Sequence, residues 1–309
     1  PVGSCMHRRI RAGFFFCVAG LISCGRIPAT TEPGFEVWHL ASPGEGDMLV
    51  LDTTSLRPVV SRGELVSLDR IVRFSNFQGS RFHPETVRAI SEDPQVLDGF
   101  ARTLARSIPR GAPLLIDVQE MSADDIPTVV SFARALSGSS RAIAQSNAAL
   151  IVPAGDTVSY PTEILSRVVD LLIVRLWDEY RPGTRPGPAA TPDFIRRAIG
   201  SRSTAIGASR IAAYFPLYGY LWSRQNSARA ITFEEANRIV ISEAGVFRRD
   251  PSSQFLTATG RDGWTVWVPD LTTVNSLIRA ARERGARIIA LSDFRGADPG
   301  ILKAYPIRR

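Results

Sequence analysis

The amino-acid sequence predicts an α/β chain folded as a (β/α)8 barrel, with a small β insertion before the last helix. Three observations predict it. Short apolar runs of strand length recur between Glu36 and Leu291, and helical patterns with their own start signals separate most of them. Strands that alternate with helices pair in parallel, and eight of them close into a barrel. The run Leu114–Gln119 also ends in polar residues just before a helix start, as a buried strand does when it delivers chemistry from its C-terminal end.

The strand candidates are Glu36–Leu40, Met48–Asp52, Ile71–Phe74, Leu114–Gln119, Ala148–Val152, Leu171–Leu176, Arg210–Phe215 and Arg287–Leu291. The interval Ala41–Asp47 is too short for a barrel helix. Later intervals carry clear ones. Asp93 before Pro94 opens a helix with Leu97, Phe100, Leu104 and Ile108 on one face. Ser122 with Asp125 resembles a capping box, followed by the stripe Ile126, Val129, Val130 and Ala133. Thr191-Pro192 opens Asp193–Ile199, and Thr232 with Glu235 opens a helix holding Ala236, Ile239 and Val240. Leu277, Ile278 and Ala281 line the last long helix, which Gly285 stops.

Two regions interrupt the alternation. Arg181–Pro192 is too rich in Pro and Gly for regular structure and reads as a long loop at the C-terminal face. Gly245–Pro269 reads as the β insertion, ending in the strand Thr265–Val268.

The first residues read as an address rather than as fold. Met6 reads as the natural start, with Pro1–Cys5 as upstream read-through. Arg8, Arg9 and Arg11 precede the apolar stretch Ala12–Ile22, about half of the ~20 residues that span a bilayer. Leu21-Ile22-Ser23-Cys24 then resembles the bacterial lipobox, in which the Cys is acylated and becomes the mature N-terminus. The expected organisation is a leader and signal over 1–23, a Pro/Thr tether over 24–34 and one barrel over 35–309. The expected location is the bacterial cell envelope, at the outer membrane or cell surface, with the membrane reached through a lipid on Cys24.

Composition narrows the chemistry. Of the three cysteines, Cys5 and Cys17 leave with the signal and Cys24 is lipidated, so no thiol remains for a disulfide or a nucleophile. His39 and His83 are the histidines beyond the leader, too few for a multi-histidine metal site. No metal and no cofactor are expected. The formal charge is +7 and nearly all of it is arginine, with Lys303 the single lysine. No basic run is interleaved with aromatics, so nucleic acid is not an expected partner. A monomer is expected.

Side chains alternate across a strand, so Leu115, Asp117 and Gln119 share one face and Ile116, Val118 and Glu120 the other. Asp117 and Gln119 are therefore expected inside the barrel mouth, with Glu120 on the rim or toward the helix layer. Trp177, Tyr218, Tyr220 and Trp222 stand at or after strand ends, where rings can stack on sugar faces. Trp222 reads as packing; Trp177 and Tyr218 follow apolar strands directly and are the better binding candidates. Arg175 and Arg295 are of a type that contacts a ligand carboxylate or makes a structural ion pair.

The segment LLIDVQEMSADD resembles the acid-bearing strand of glycoside hydrolase family 18, the chitinase-like barrels, and most closely their bacterial peptidoglycan and spore-cortex branch. That family ends its fourth strand in Asp-x-Asp-x-Glu, with Glu as proton donor; Leu115, Asp117 and Gln119 match those positions. Further likenesses follow in order. Ser75-Asn76-Phe77 and Arg81-Phe82-His83-Pro84 match the segment before the acid strand, and Trp177-Asp178 closes a Met-x-Tyr-Asp-like element. Tyr218 and Gly219 match a Gly-x-Pro-x-Tyr-Gly segment. Trp267-Val268-Pro269-Asp270 resembles the Trp-Phe-x-Asp element before the last helix, and Leu291–Pro299 the family's closing segment, with Ser292 in place of its Trp and Asp293 beside it. The resemblance implies substrate-assisted hydrolysis: the acid protonates the glycosidic oxygen, the substrate's N-acetyl carbonyl attacks the anomeric carbon, and the neighbouring Asp orients the acetamido group. The candidate catalytic positions are Asp117 and Gln119 by that match and Asp178 as the retained Asp, with Glu120 as an acid that a divergent enzyme would recruit; the candidate substrate contacts are Asn76, Trp177, Tyr218, Ser292 and Asp293. An amide has no titratable proton near neutral pH, so Gln119 cannot be that acid. The expected ligand is N-acetylglucosamine-containing glycan, peptidoglycan before chitin, bound without efficient cleavage. A divergent glycosidase using Glu120 or Asp178 as acid, and an envelope scaffold binding a protein partner, are the alternatives.

Overall fold

The computed structural model describes residues 36–39, 47–52, 57–62 and 72–305, apart from 79–80, 226, 287 and 293–294. Cys24, the leader, the tether and Asp293 lie outside the described residues, and Ser292 is described in its backbone alone.

Eight parallel strands form the main sheet: β1 (Glu36–His39), β2 (Asp47–Asp52), β3 (Val72–Ser75), β4 (Leu114–Asp117), β5 (Ala148–Pro153), β6 (Leu171–Arg175), β7 (Ile211–Pro216) and β8 (Ile288–Ser292). Each falls on a segment expected from its apolar pattern. Their order is β1-β8-β7-β6-β5-β4-β3-β2, the sequential order of a (β/α)8 barrel with β1 and β2 at the ends of the series. The other edge of β2 carries an antiparallel strand, Arg57–Arg62, which the sequence did not announce.

Alternation along these strands divides the core into two layers. Leu115, Ile151, Leu171, Ile173, Ala212, Tyr214, Ile288 and Ala290 pack together on the inner face. Their sequence neighbours, among them Ile116, Val118, Leu172, Val174, Ala213 and Phe215, pack outward against the helices. A sheet covered on both sides has little room for polar groups except at the strand ends.

The helices are α1 (Pro84–Glu92), α2 (Pro94–Ser107), α3 (Ile126–Ser139), α4 (Thr162–Leu165), α5 (Pro192–Ile206), α6 (Phe233–Ser242), α7 (Leu271–Glu283) and α8 (Pro299–Ala304). The expected start signals operate. The Asp93 side chain accepts from the Gln95 amide at 2.8 Å, and Thr191 and Thr232 each accept from an amide three residues on at 3.2 Å. Gly285 takes φ +87° just beyond α7, the left-handed stop that glycine tolerates. Among the described residues no helix is long and apolar enough to cross a membrane.

The insertion is larger than the sequence indicated. It begins at Gly219 rather than Gly245 and forms a five-stranded antiparallel sheet from Gly219–Trp222, Ala228–Ile231, Arg248–Arg249, Leu256–Thr259 and Thr265–Val268, with α6 packed on it. Gly219–Trp222 pairs on one side with the next strand, Ala228–Ile231, and on the other with Thr265–Val268, which lies far along the chain. Gly219 is where the two modules meet: a Cβ there would run into the Trp267 carbonyl oxygen, so only glycine fits. Trp222 is fully buried, in keeping with its reading as packing.

Candidate active site

The end of β4 is organised from the inside. Leu115 belongs to the inner layer, so Asp117 and Gln119 follow it on the cavity face. Asp117 is 2% exposed and Gln119 1%. The Gln119 amide donates to Asp117 Oδ1 at 2.9 Å and to the Ile151 carbonyl at 3.1 Å. The other Asp117 oxygen takes the Arg73 guanidinium at 2.5 Å, with Ser75 Oγ at 3.5 Å. Arg73 and Ser75 face inward on β3, where Ser75 is the register partner of Asp117. Sequence reasoning missed Arg73; the signal was a charged residue inside the apolar run Ile71–Phe74.

The backbone after β4 is clamped as well. Asn76 donates to the Gln119 carbonyl at 3.0 Å and accepts the Gln119 amide N–H at 3.0 Å. Buried there, Asn76 spends its carbonyl oxygen and one N–H on the main chain and so positions Gln119. Tyr160 donates to the Val118 carbonyl at 2.8 Å and accepts from the Met121 amide at 3.3 Å. Burial pushes the Tyr160 phenol well above its ordinary value. Arg202, wholly buried on α5, holds the loop that carries Tyr160. Its guanidinium donates to the Pro153, Asp156 and Tyr160 carbonyls at 2.6, 2.9 and 3.0 Å and to the Thr162 hydroxyl at 2.9 Å. Burial lowers its pKa to about 10, so it stays charged at neutral pH.

Glu120 is exposed, at φ +61°. It is the third residue after β4, on the rim, as its place on the opposite face suggested.

A second group gathers at the ends of β6 and β7. Trp177 is half-buried, its ring edge-on to Tyr214 with centroids 4.7 Å apart. The Arg175 guanidinium lies over the Trp177 ring at 5.2 Å. Asp178, at φ +67°, accepts from the Tyr220 hydroxyl at 3.0 Å and stands 3.8 Å from Arg175. Burial, reinforced by Asp178, raises the Tyr220 phenol above its usual range. Tyr218 is half-buried and sets its ring edge-on to Tyr220 at 5.7 Å. The two groups share a field: Asp117 and Arg175 both act electrostatically on Tyr160.

No protein-family profile matches the chain. The putative sporulation-specific glycosylase YdhD of Bacillus subtilis (strain 168) is 23% identical over 297 residues, covering 88% of this chain and 68% of that protein. Its crystal structure superposes with a TM-score of 0.67 at 19% identity, over 84% of this chain and 91% of the other. The spore cortex-lytic enzyme SleL of Bacillus cereus superposes at 0.71 and 14% identity, covering 86% and 66%. The fold is that of the chitinase-like barrels. A mutant of the class V chitinase from Nicotiana tobaccum, with glutamine in place of a glutamate and in complex with NAG4, superposes at 0.64 and 15% identity, over 82% and 86%. Among the described residues, no cluster of His, Cys, Asp or Glu is arranged to hold a metal ion.

Proposed function

We propose that this chain holds N-acetylglucosamine-containing glycan on the C-terminal face of its barrel without cleaving it efficiently. The observation that carries the reading is the buried amide of Gln119, which donates to Asp117 where the family's acid would stand. An amide supplies no proton to a leaving oxygen, and general acid catalysis is worth roughly 10²–10⁴-fold in rate. Trp177 and Tyr218 supply aromatic surface at the ends of β6 and β7. The tobacco chitinase complex supports the pairing of glutamine and bound sugar: there a glutamine-for-glutamate variant was solved with NAG4. Peptidoglycan is favoured over chitin through the likeness to YdhD and SleL.

Titration calorimetry with N-acetylglucosamine oligomers should register binding, while reducing-end assays register almost no turnover. Gln119→Glu should raise turnover, toward the lower end of that range because Trp177 and Ser292 replace the family's Tyr and Trp. Brisk native cleavage, or silence toward every glycan, would overturn the proposal. One observation favours a second reading. Asp178 is half-buried in a left-handed conformation that non-glycine residues seldom adopt, a strain that concentrates at working sites. If Asp178 is an acid, native cleavage exists and Asp178→Asn abolishes it.

The same proposal places the protein in the bacterial envelope, anchored by a lipid on Cys24 behind the basic and apolar leader. Mass spectrometry of the mature N-terminus should find acylated Cys24; an unmodified start further along the chain would refute it.

A further inference from the structure

Among the described residues, the Arg175 guanidinium keeps donors that no acceptor takes up. Leu171 and Ile173 face the barrel interior, so Arg175 and then Trp177 continue that face to the mouth. The Arg175 side chain is 22% exposed. Its nearest carboxylate oxygen, on Asp178, is 3.8 Å away, beyond hydrogen-bond reach, and the other Asp178 oxygen already takes the Tyr220 hydroxyl. Among the described residues no acceptor is recorded within hydrogen-bond distance of this guanidinium. A guanidinium carries five donors in a planar fork that fits a carboxylate, and the Trp177 ring beneath it fixes the direction of that fork. The contrast with Arg73 is direct: Arg73 closes on Asp117 at 2.5 Å, inside the barrel. Arg175 also lies near the glycan face. Pro153 on β5 is its register partner and the Ile151 carbonyl on the same strand holds Gln119, so Arg175 and Gln119 are about two strand spacings, or about 10 Å, apart. One sugar ligand can touch both.

We infer that Arg175 receives a carboxylate carried by the ligand, so that the face selects an acidic N-acetylated glycan over a neutral one; this rests on the glycan reading of the site. The carboxylate has two chemical sources in a peptidoglycan-type polymer. One is the lactyl ether on the sugar itself. The other is the free end of a peptide, whose attachment turns the lactyl carboxylate into an amide. Asp178 works against either, because it offers Arg175 a competing negative charge.

Calorimetry with four probes tests this: neutral chitobiose, a disaccharide of N-acetylglucosamine and N-acetylmuramic acid, its methyl ester, and the same disaccharide carrying a dipeptide. The native protein should bind the acid roughly ten- to hundred-fold more tightly than the ester, the value of one charge-assisted hydrogen-bonded pair, and less so as salt rises. Preference for the dipeptide form over the acid would assign the carboxylate to the peptide end. Arg175→Gln should bring the acid-to-ester ratio to about one, Arg175→Lys should keep a reduced ratio, and Asp178→Asn should widen it. If Arg175→Gln does not fold, the Asp178→Asn ratio and the salt dependence carry the same test. Native binding of chitobiose with no advantage for acid over ester, or an advantage that survives Arg175→Gln, overturns the Arg175 assignment alone. Failure to bind any of the four overturns the glycan reading with it.

Discussion

Around the ends of β4 and β6 the same kinds of side chain gather, a carboxylate, an arginine (Arg73 from β3 in the first case) and an aromatic or amide neighbour, yet they are built to opposite plans. At β4 the carboxylate of Asp117 is sealed: Arg73 takes one oxygen, Gln119 the other, and both residues of the strand end are 1–2% exposed. At β6 the pieces stand apart. Arg175 and Asp178 are separated by 3.8 Å and both are partly open to solvent. A closed network in low dielectric holds its members in one arrangement, whereas a loose one keeps donors for something else. The difference separates a closed polar network from one that keeps charged groups apart and open to solvent.

The largest effect should come from unlocking the sealed side. Arg202→Met strips four acceptors of their donor in a fully buried position and frees the Tyr160 loop that braces β4. A loss of several kcal/mol is expected from leaving those acceptors unpaired, at about 1–3 kcal/mol each before relaxation, read from denaturant midpoints. Next is Gln119→Leu, which leaves Asp117 Oδ1 and the Ile151 carbonyl unpaired at a cost of about 1–3 kcal/mol. An equal penalty from Trp177→Ala at the open side would erase the distinction drawn here. Trp177→Ala should instead leave the melting temperature nearly unchanged and weaken glycan binding roughly ten-fold, as loss of an aromatic contact does.

The smallest effect is read as a pH dependence in the acid range. Asp125, capping the entry to α3 beneath the β4 loop, is held well below the usual carboxylate range by the Arg88 guanidinium at 2.6 and 2.7 Å, aided by Ser122. Because the folded-state value is depressed, its stabilisation is complete above the unfolded value near pH 4 and is lost as the pH falls below that. Acid titration of stability should therefore be shallower in Asp125→Asn than in the native chain. Parallel acid curves would remove Asp125 from the account.

Much of this was legible without coordinates. The eight apolar runs determined the barrel, because buried parallel strands need that composition and the helix caps between them are local signals. Period-two alternation placed Leu115, Asp117 and Gln119 on one inward face, since a strand offers its side chains no other choice. That Gln119 has no titratable proton to give follows from its amide alone. What the sequence could not show was who meets whom across the sheet. That Arg73 on β3 neutralises Asp117 on β4, that Arg202 on α5 secures Tyr160, and that Gly219 starts an insertion sheet with Thr265–Val268 all depend on contacts between residues distant in the chain. Only closure of the tertiary structure decided that one arginine would be consumed by its aspartate and the other left short of its own, because strand register fixes those distances and no local pattern encodes it.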